Sequence, residues 1–377
     1  MELEYNNRVK ERFIPISYRE LLKNSLIYLD INDKRYMEFG ELLHLHYYRE
    51  FYPKLQELKY RYAPFNPDNH NIRVDKLTDE IYREYEDILF SDIKELLNSA
   101  NYEILTQEML ERTMNRKSPY GVEVSVNFDN FEEIQLYFKG ESIQTDEVRD
   151  PKTLYLKKKI IKEPLYRRLF LLIKPKNRGN HIYLKLFKDI PQIDLEMLFP
   201  NTKVRITLFD KLKIALVGGG GTVGGGTTLV TKLGVATIDP ISALMAIGAF
   251  GGILWRQIKE VLFRKTHYMA KLAENLYFHN LDNNGGALNY IIELAQEEES
   301  KEALLVYLFL SKENRALSAK EIDSSIELYI KKLYNIDMDF EISDGIRKVV
   351  ELGLVIQRDD RFEVLDINQA LNILNTK

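Results

Sequence analysis

The chain has no cysteine in 377 residues, and only one tryptophan and six histidines. Without thiols there are no disulfides, thiolate metal sites or cysteine nucleophiles, which fits a reducing compartment. His44, His46, His70, His181, His267 and His279 show no metal-ligand spacing. His44 and His46 stand two apart in a helical stretch and so point to different faces. No GxSxG or HExxH motif occurs. The charged start MELEYNNRVKERF has no apolar core behind it, so no secretory signal is expected. These absences lead to the expectation of no cofactor and no metal, and they lean away from an enzyme.

Long uncharged runs are also scarce, with one exception at 214–255. It reads IALVGGGGTVGGGTTLVT, KLGVATIDP and ISALMAIGAFGGILW. As a helix, the 18 charge-free residues 214–231 would be about 27 Å long, and the fifteen at 241–255 about 22 Å. Gly248 and Gly252 form a GxxxG pair, and Gly219, Gly221 and Gly224 offer a matching small face for close helix approach. Asp239-Pro240 suits a helix cap followed by proline in the first turn; an ion-pathway carboxylate is the sharper alternative. Basic residues flank the stretch outside, Arg205, Lys211 and Lys213 before it and Arg256, Lys259, Arg264 and Lys265 after it. This pattern predicts a two-helix membrane hairpin with both soluble parts on one side. A nucleotide loop competes with it. Gly219, Gly221 and Gly224 satisfy GxGxxG, and Asp239 follows at the distance used to hold a ribose. Against the loop, the following helix would open on glycines, and no further βαβ unit follows.

The formal charge of −4 conceals an asymmetry. Ten basic residues and one acid fall between Lys152 and Arg178, so that window carries +9 and the remainder −13. Lys157, Lys158, Lys159, Arg167 and Arg168, with Arg256 and Lys259, are candidates for anionic-lipid contact; solvated strand faces are the plainer alternative. Asp189, Asp194 and Glu196 cluster before the apolar stretch. They form a candidate acidic site, or merely the leading acids of a short helix.

Helical spacing is predicted over 18–28, 36–58 and 77–97, within an N-terminal region 1–117. Over 118–210 the period becomes two, with strands at 122–128, 133–138, 153–161, 165–173 and 181–187, an antiparallel meander. The hairpin occupies 211–257. Region 258–377 resumes helical spacing to 281, then gives helices at 301–310, 319–334 and 341–352 and a β-hairpin from 354 to 365, which resembles a winged helix. From Ser318 to Lys377 eight basic residues face twelve acidic ones, the wrong sign for phosphate contact. No nucleic-acid partner is expected.

Several segments together resemble a known family. They are ERFIPISYRELL (11–22), LQELKYRYAPFNPD (55–68), VSVNFDNFEEIQLYFKGE (124–141), YLKLFKDIPQIDLEMLFPNTKVR (183–205), ENLYFHNLDNNGGAL (274–288) and EEESKEALLVYLFL (297–310). The resemblance is to the uncharacterised transmembrane protein 143 group, described as domain of unknown function 3754. It implies two adjacent hydrophobic segments between larger soluble parts, and no activity. The expectation is therefore an α+β protein with a helical N-terminal region, a β meander, a membrane hairpin and a winged-helix-like tail. It would be a non-enzymatic scaffold, adaptor or effector at a bacterial inner membrane, soluble parts cytoplasmic. Its partners would be anionic lipid, a second copy of itself or another protein. The alternatives are a nucleotide-binding protein or enzyme using the glycine-rich loop, and a pore-forming assembly.

Overall fold

Apolar side chains at helical spacing wind the first helices onto one core. Helix α1 (Tyr18–Tyr28) buries Leu21, Leu22 and Leu26. Helix α2 (Lys34–Tyr62) is capped by Asp33, which accepts the Arg35 N–H at 2.9 Å, and buries Phe39, Leu43, Tyr47, Phe51, Leu58 and Tyr62. Helix α3 (Asp79–Ser99) starts at Thr78, whose hydroxyl accepts the Ile81 N–H. The structure is a computed structural model that describes residues 4–5, 10–70, 77–106, 108–110, 122–149, 158–199, 203–206, 270, 273, 276–313 and 315–377.

An antiparallel sheet follows. Its strands are β1 (Glu4–Tyr5), β2 (Glu103–Ile104), β4 (Phe131–Arg149), β5 (Lys158–Pro175), β6 (Tyr183–Pro191) and β8 (Asn280–Asn283), in the order β1-β4-β5-β6-β8 with β2 also paired to β4. Strands β3 (Val122–Ser125) and β7 (Lys203–Ile206) pair separately. A 3-10 helix, Gln192–Leu198, closes the far side of the sheet. The alternation of β4 and β5 sends Leu136, Phe138, Leu169, Leu171 and Ile173 into a core with Leu195, Leu198 and Phe199. Tyr137, Phe170 and Leu172 go to the opposite core, shared with the helices. Burial on both faces explains the unbroken apolar run Leu169–Ile173.

Helix α4 (Asn284–Glu313) is the hub of the helical side. Helices α1, α2 and α3 pack on it, as do α5 (Ala319–Tyr334) and α6 (Ile342–Glu351), while α7 (Ile367–Thr376) packs on α2. Strand β10 (Val355–Arg358) pairs with β11 (Arg361–Val364), which pairs with the short β9 (Leu317–Ser318). Thus α5, α6 and a β-hairpin wing form the C-terminal unit, with α7 appended.

Three sequence expectations change. The strands predicted at 153–161 and 165–173 are joined through Pro164, and residues 158–175 form one strand. Helical spacing had been extended to Leu281, yet Asn280–Asn283 is a strand on β6. The two-helix membrane hairpin, and with it the inner-membrane placement, is overturned: among the described residues no helix is long and apolar enough to cross a membrane. The two longest, α2 and α4, both carry charged residues along their length. The protein is α+β, an antiparallel sheet with helices; 214–255, on which the hairpin had been inferred, lies outside the described residues.

Candidate functional site

Midway along α4 the sequence turns from apolar to Glu297-Glu298-Glu299-Ser300-Lys301-Glu302. A helix that carried such a run on a solvated face would expose it. Here Glu298, Ser300, Lys301 and Glu302 are each at most 3% exposed. Charges so placed must be paired or hydrogen-bonded, because desolvation of an isolated ion costs several kcal/mol.

Three segments supply most of the partners. The first is the extended stretch before α1. The Ile14 N–H donates to Glu298 Oε2 at 3.1 Å, and Lys301 Nζ donates to the Ile14 carbonyl at 3.0 Å. Ser17 is the N-cap residue of α1 but its side chain makes no cap bond; instead the Tyr18 N–H donates to Glu297 at 2.9 Å. A carboxylate of α4 therefore caps α1, as the helix dipole favours.

The second partner is the sheet. Lys139 on β4 is 3% exposed and lies 3.4 Å from Glu298, which is also 3.2 Å from Lys301. On the neighbouring strand, Arg167 pairs with Glu11 at 3.0 Å. Both cations approach the Phe13 ring, Lys139 at 4.6 Å and Arg167 at 5.0 Å from its centroid. Gly140 makes this approach feasible. Its φ of +72° suits glycine, and a Cβ there would stand 2.7 Å from Phe13. Arg168 lies directly opposite Lys139 in the β4–β5 register.

The third is α6. Lys348, 4% exposed, meets Glu302 at 2.5 Å, Asp344 at 2.7 Å and Glu299 at 2.9 Å. Asn101 donates to Glu302 at 3.0 Å.

The electrostatics follow from burial set against these partners. Burial alone would raise the Glu298 carboxyl, but Lys139, Lys301 and the Ile14 N–H hold it below the usual carboxylate range. Burial pushes the Lys139 ammonium down against the pull of Glu298. Glu302, more deeply desolvated than Lys348 can offset, is pushed up to about 7. Burial opposes the Lys348 ammonium, yet Glu302, Glu299 and Asp344 hold it well above its ordinary value. The seam can hold charge in a dry place, and burial makes Glu302 and Glu299 readier than free carboxyls to take a proton.

A cavity of about 320 Å³ opens beside the seam. Lys139, Arg167, Arg168, Lys301, Glu297 and Glu298 line it, with Ser17 at its edge. A larger groove of about 1550 Å³ runs between α1, α2 and α4.

The sequence candidates distribute differently. Gly219, Gly221, Gly224, Gly248, Gly252, Asp239, Pro240, Lys157, Arg256 and Lys259 lie outside the described residues. Lys158 and Lys159 open β5, opposite Arg149 and Val148. Arg167 and Arg168, proposed for lipid contact, line the cavity. Asp189 is in β6 with φ +50°, whereas Asp194 and Glu196 belong to the 3-10 helix beyond it. Among the described residues no group of three acidic, histidine or cysteine side chains could hold a metal ion. Lys139, Glu298, Lys301, Glu302 and Lys348 were not singled out from sequence. The available signal was the run 297–302, set between apolar residues that are themselves helically spaced.

Comparison with known proteins adds one match: a family model for a protein of unknown function, DUF3754, matches residues 131–286. That span covers the main sheet from β4 onward and reaches the first turn of α4. No solved structure matches.

Proposed function

We propose that the chain is a non-enzymatic scaffold or adaptor that receives a basic amphipathic helix of a protein partner in the groove between α1, α2 and α4. The observation that carries this is a stacked pair of exposed aromatic rings on α2, beside the groove. Tyr48 and Tyr52 of α2 are 51% and 50% exposed, and their rings stack at 6.0 Å. Met37, Phe51 and Leu55 extend the apolar lining. Aromatic anchors in a groove are the usual way to seat an apolar helix face.

The groove's sign indicates the partner. Glu20, Glu41, Glu293 and Glu297 line it against Arg19 and Lys23, so a helix carrying lysine or arginine beside its apolar face fits. The floor is firm. Tyr18 donates to the Gly40 carbonyl at 2.6 Å, and His44 stacks on the Tyr18 ring at 4.4 Å. Among the described residues the buried His44 Nδ1 has no hydrogen-bond partner, a site for an added donor or acceptor. Kinship in sequence with the transmembrane protein 143 group is part of the same proposal. The family-model match and the run 188–200 within it support that kinship.

Fluorescence anisotropy with a labelled lysine–leucine amphipathic helical peptide tests the groove. Saturable binding is expected, at least tenfold weaker for the double variant Tyr48→Ala/Tyr52→Ala and absent for the same peptide with glutamate replacing lysine. Equal affinity for parent and double variant, or no binding by the parent, overturns the proposal.

A further inference from the structure

Lys139 and Arg168 present a like-charge pair that the sheet itself creates. They are directly opposite in the antiparallel β4–β5 register. Residues opposite one another share a face, with Cβ atoms roughly 5 Å apart, and like charges in that relation destabilise a sheet. Tyr137 and Phe170, each two residues away on the same face, point into the helical core. The two cations are thus aimed at α4 and not at bulk water.

Most of the neighbouring carboxylates have other partners. Glu298 is shared between Lys139 and Lys301, and Glu297 is shared between Lys301 and the start of α1. Glu11 is taken by Arg167. None of these carboxylates pairs with Arg168. Among the described residues its guanidinium donates only to the Arg167 carbonyl, at 2.8 Å, and no carboxylate lies in ion-pair range. It lines the cavity of about 320 Å³, at the small end of ligand sites. The cavity also has apolar walls, Phe13, Pro15 and Leu294, and Ser17, whose hydroxyl is not used as a cap.

We propose that this cavity is a binding site for a small oxyanion, a single phosphate or carboxylate group, held by Arg168 and Lys139 with the Ser17 hydroxyl at its rim. A guanidinium offers two parallel donors to such a group, and the ammonium supplies a point charge beside them. The anion removes the cross-strand repulsion between Lys139 and Arg168. The proposal does not depend on the groove between α1 and α2, so each can fail alone.

The test is thermal unfolding of the full chain at constant ionic strength, with sodium chloride replaced stepwise by inorganic phosphate or by acetate. A saturable rise in Tm beyond the chloride control is expected for one or both probes. Which of them acts separates a phosphate from a carboxylate site. Arg168→Gln should weaken the apparent affinity at least tenfold, Arg168→Lys should recover part of it, and Ser17→Ala should weaken it by a smaller factor. Arg168→Gln must unfold in one cooperative transition; should it not, Ser17→Ala at the exposed rim becomes the deciding variant. Co-sedimentation with phosphatidylglycerol vesicles asks whether the same group is carried on a lipid. Sedimentation of the parent without any phosphate or acetate response overturns the free-anion site. So does a response that Arg168→Gln and Ser17→Ala leave unchanged, or no response by the parent at all.

Discussion

Helix α4 is buried twice over by opposite chemistry. From Ala303 to Leu310 it is apolar but for the Tyr307 hydroxyl, which donates to the Leu365 carbonyl at 3.2 Å; all eight residues are at most 5% exposed and pack into the helical core. From Glu298 to Glu302 it is nearly as dry, at most 8% exposed, but all save Ser300 are charged. The first half-turns cost nothing to desolvate, so their burial stabilises without conditions. The charged turns are stable only while each ion has its partner, and those partners come from the N-terminal stretch, the sheet and α6. One helix thus uses apolar packing for strength and ion pairing to fix which segments meet where.

Removing one charge separates the two halves most sharply. Lys348→Met leaves Glu299 and Glu302 without a cation and Asp344 with Arg347 alone, and is expected to lower stability by about 4 kcal/mol in urea denaturation. Leu305→Ala, in the apolar half, is expected to cost about 3 kcal/mol. A Lys348→Met loss well below the Leu305→Ala loss would break the contrast, because the charged turns would then carry no conditional energy.

A pH titration of stability is the next largest effect. Glu302 is raised from the ordinary carboxylate value to about 7 by burial. A raised carboxyl binds its proton more tightly in the folded state, so its contribution is full below the unfolded value and is lost as pH climbs toward 7. Glu299 is raised in the same direction by its burial. Glu302→Gln should therefore flatten the fall in stability between about pH 4.5 and 7. If the variant keeps the parent's slope across that window, Glu302 is not the group that titrates there.

The smallest change lies outside both halves and calibrates them. Ser318 caps α5 in a reciprocal box with Glu321. Ser318→Ala should cost about 1 kcal/mol, and a loss equal to that of Lys348→Met would mean that the α4 seam has no special weight.

The sequence was most legible where local rules decide. Helix α1 has the bounds that its spacing predicts, and α5 spans the predicted 319–334. Helix α4 was legible only from Lys301, because its first half combines Asn284-Gly285-Gly286 with a charged run that no apolar period marks. The length of β4 and β5 was hidden by Gly140 and Pro164, which read as strand breaks yet sit inside the ladder. The candidate site was illegible for a different reason. Lys139 meets Arg168 only through register, and Ile14 meets Glu298 only through packing of segments 284 residues apart.

The cap on α1 has a consequence in time. Tyr18 receives it from Glu297, 279 residues later. At the ribosomal rate of roughly 5–20 residues per second, the acceptor emerges roughly 15–55 s after the helix it completes. During synthesis α1 must therefore wait uncapped until α4 arrives, with its apolar face covered only in part by α2. The first helix of this chain is among the last to be finished.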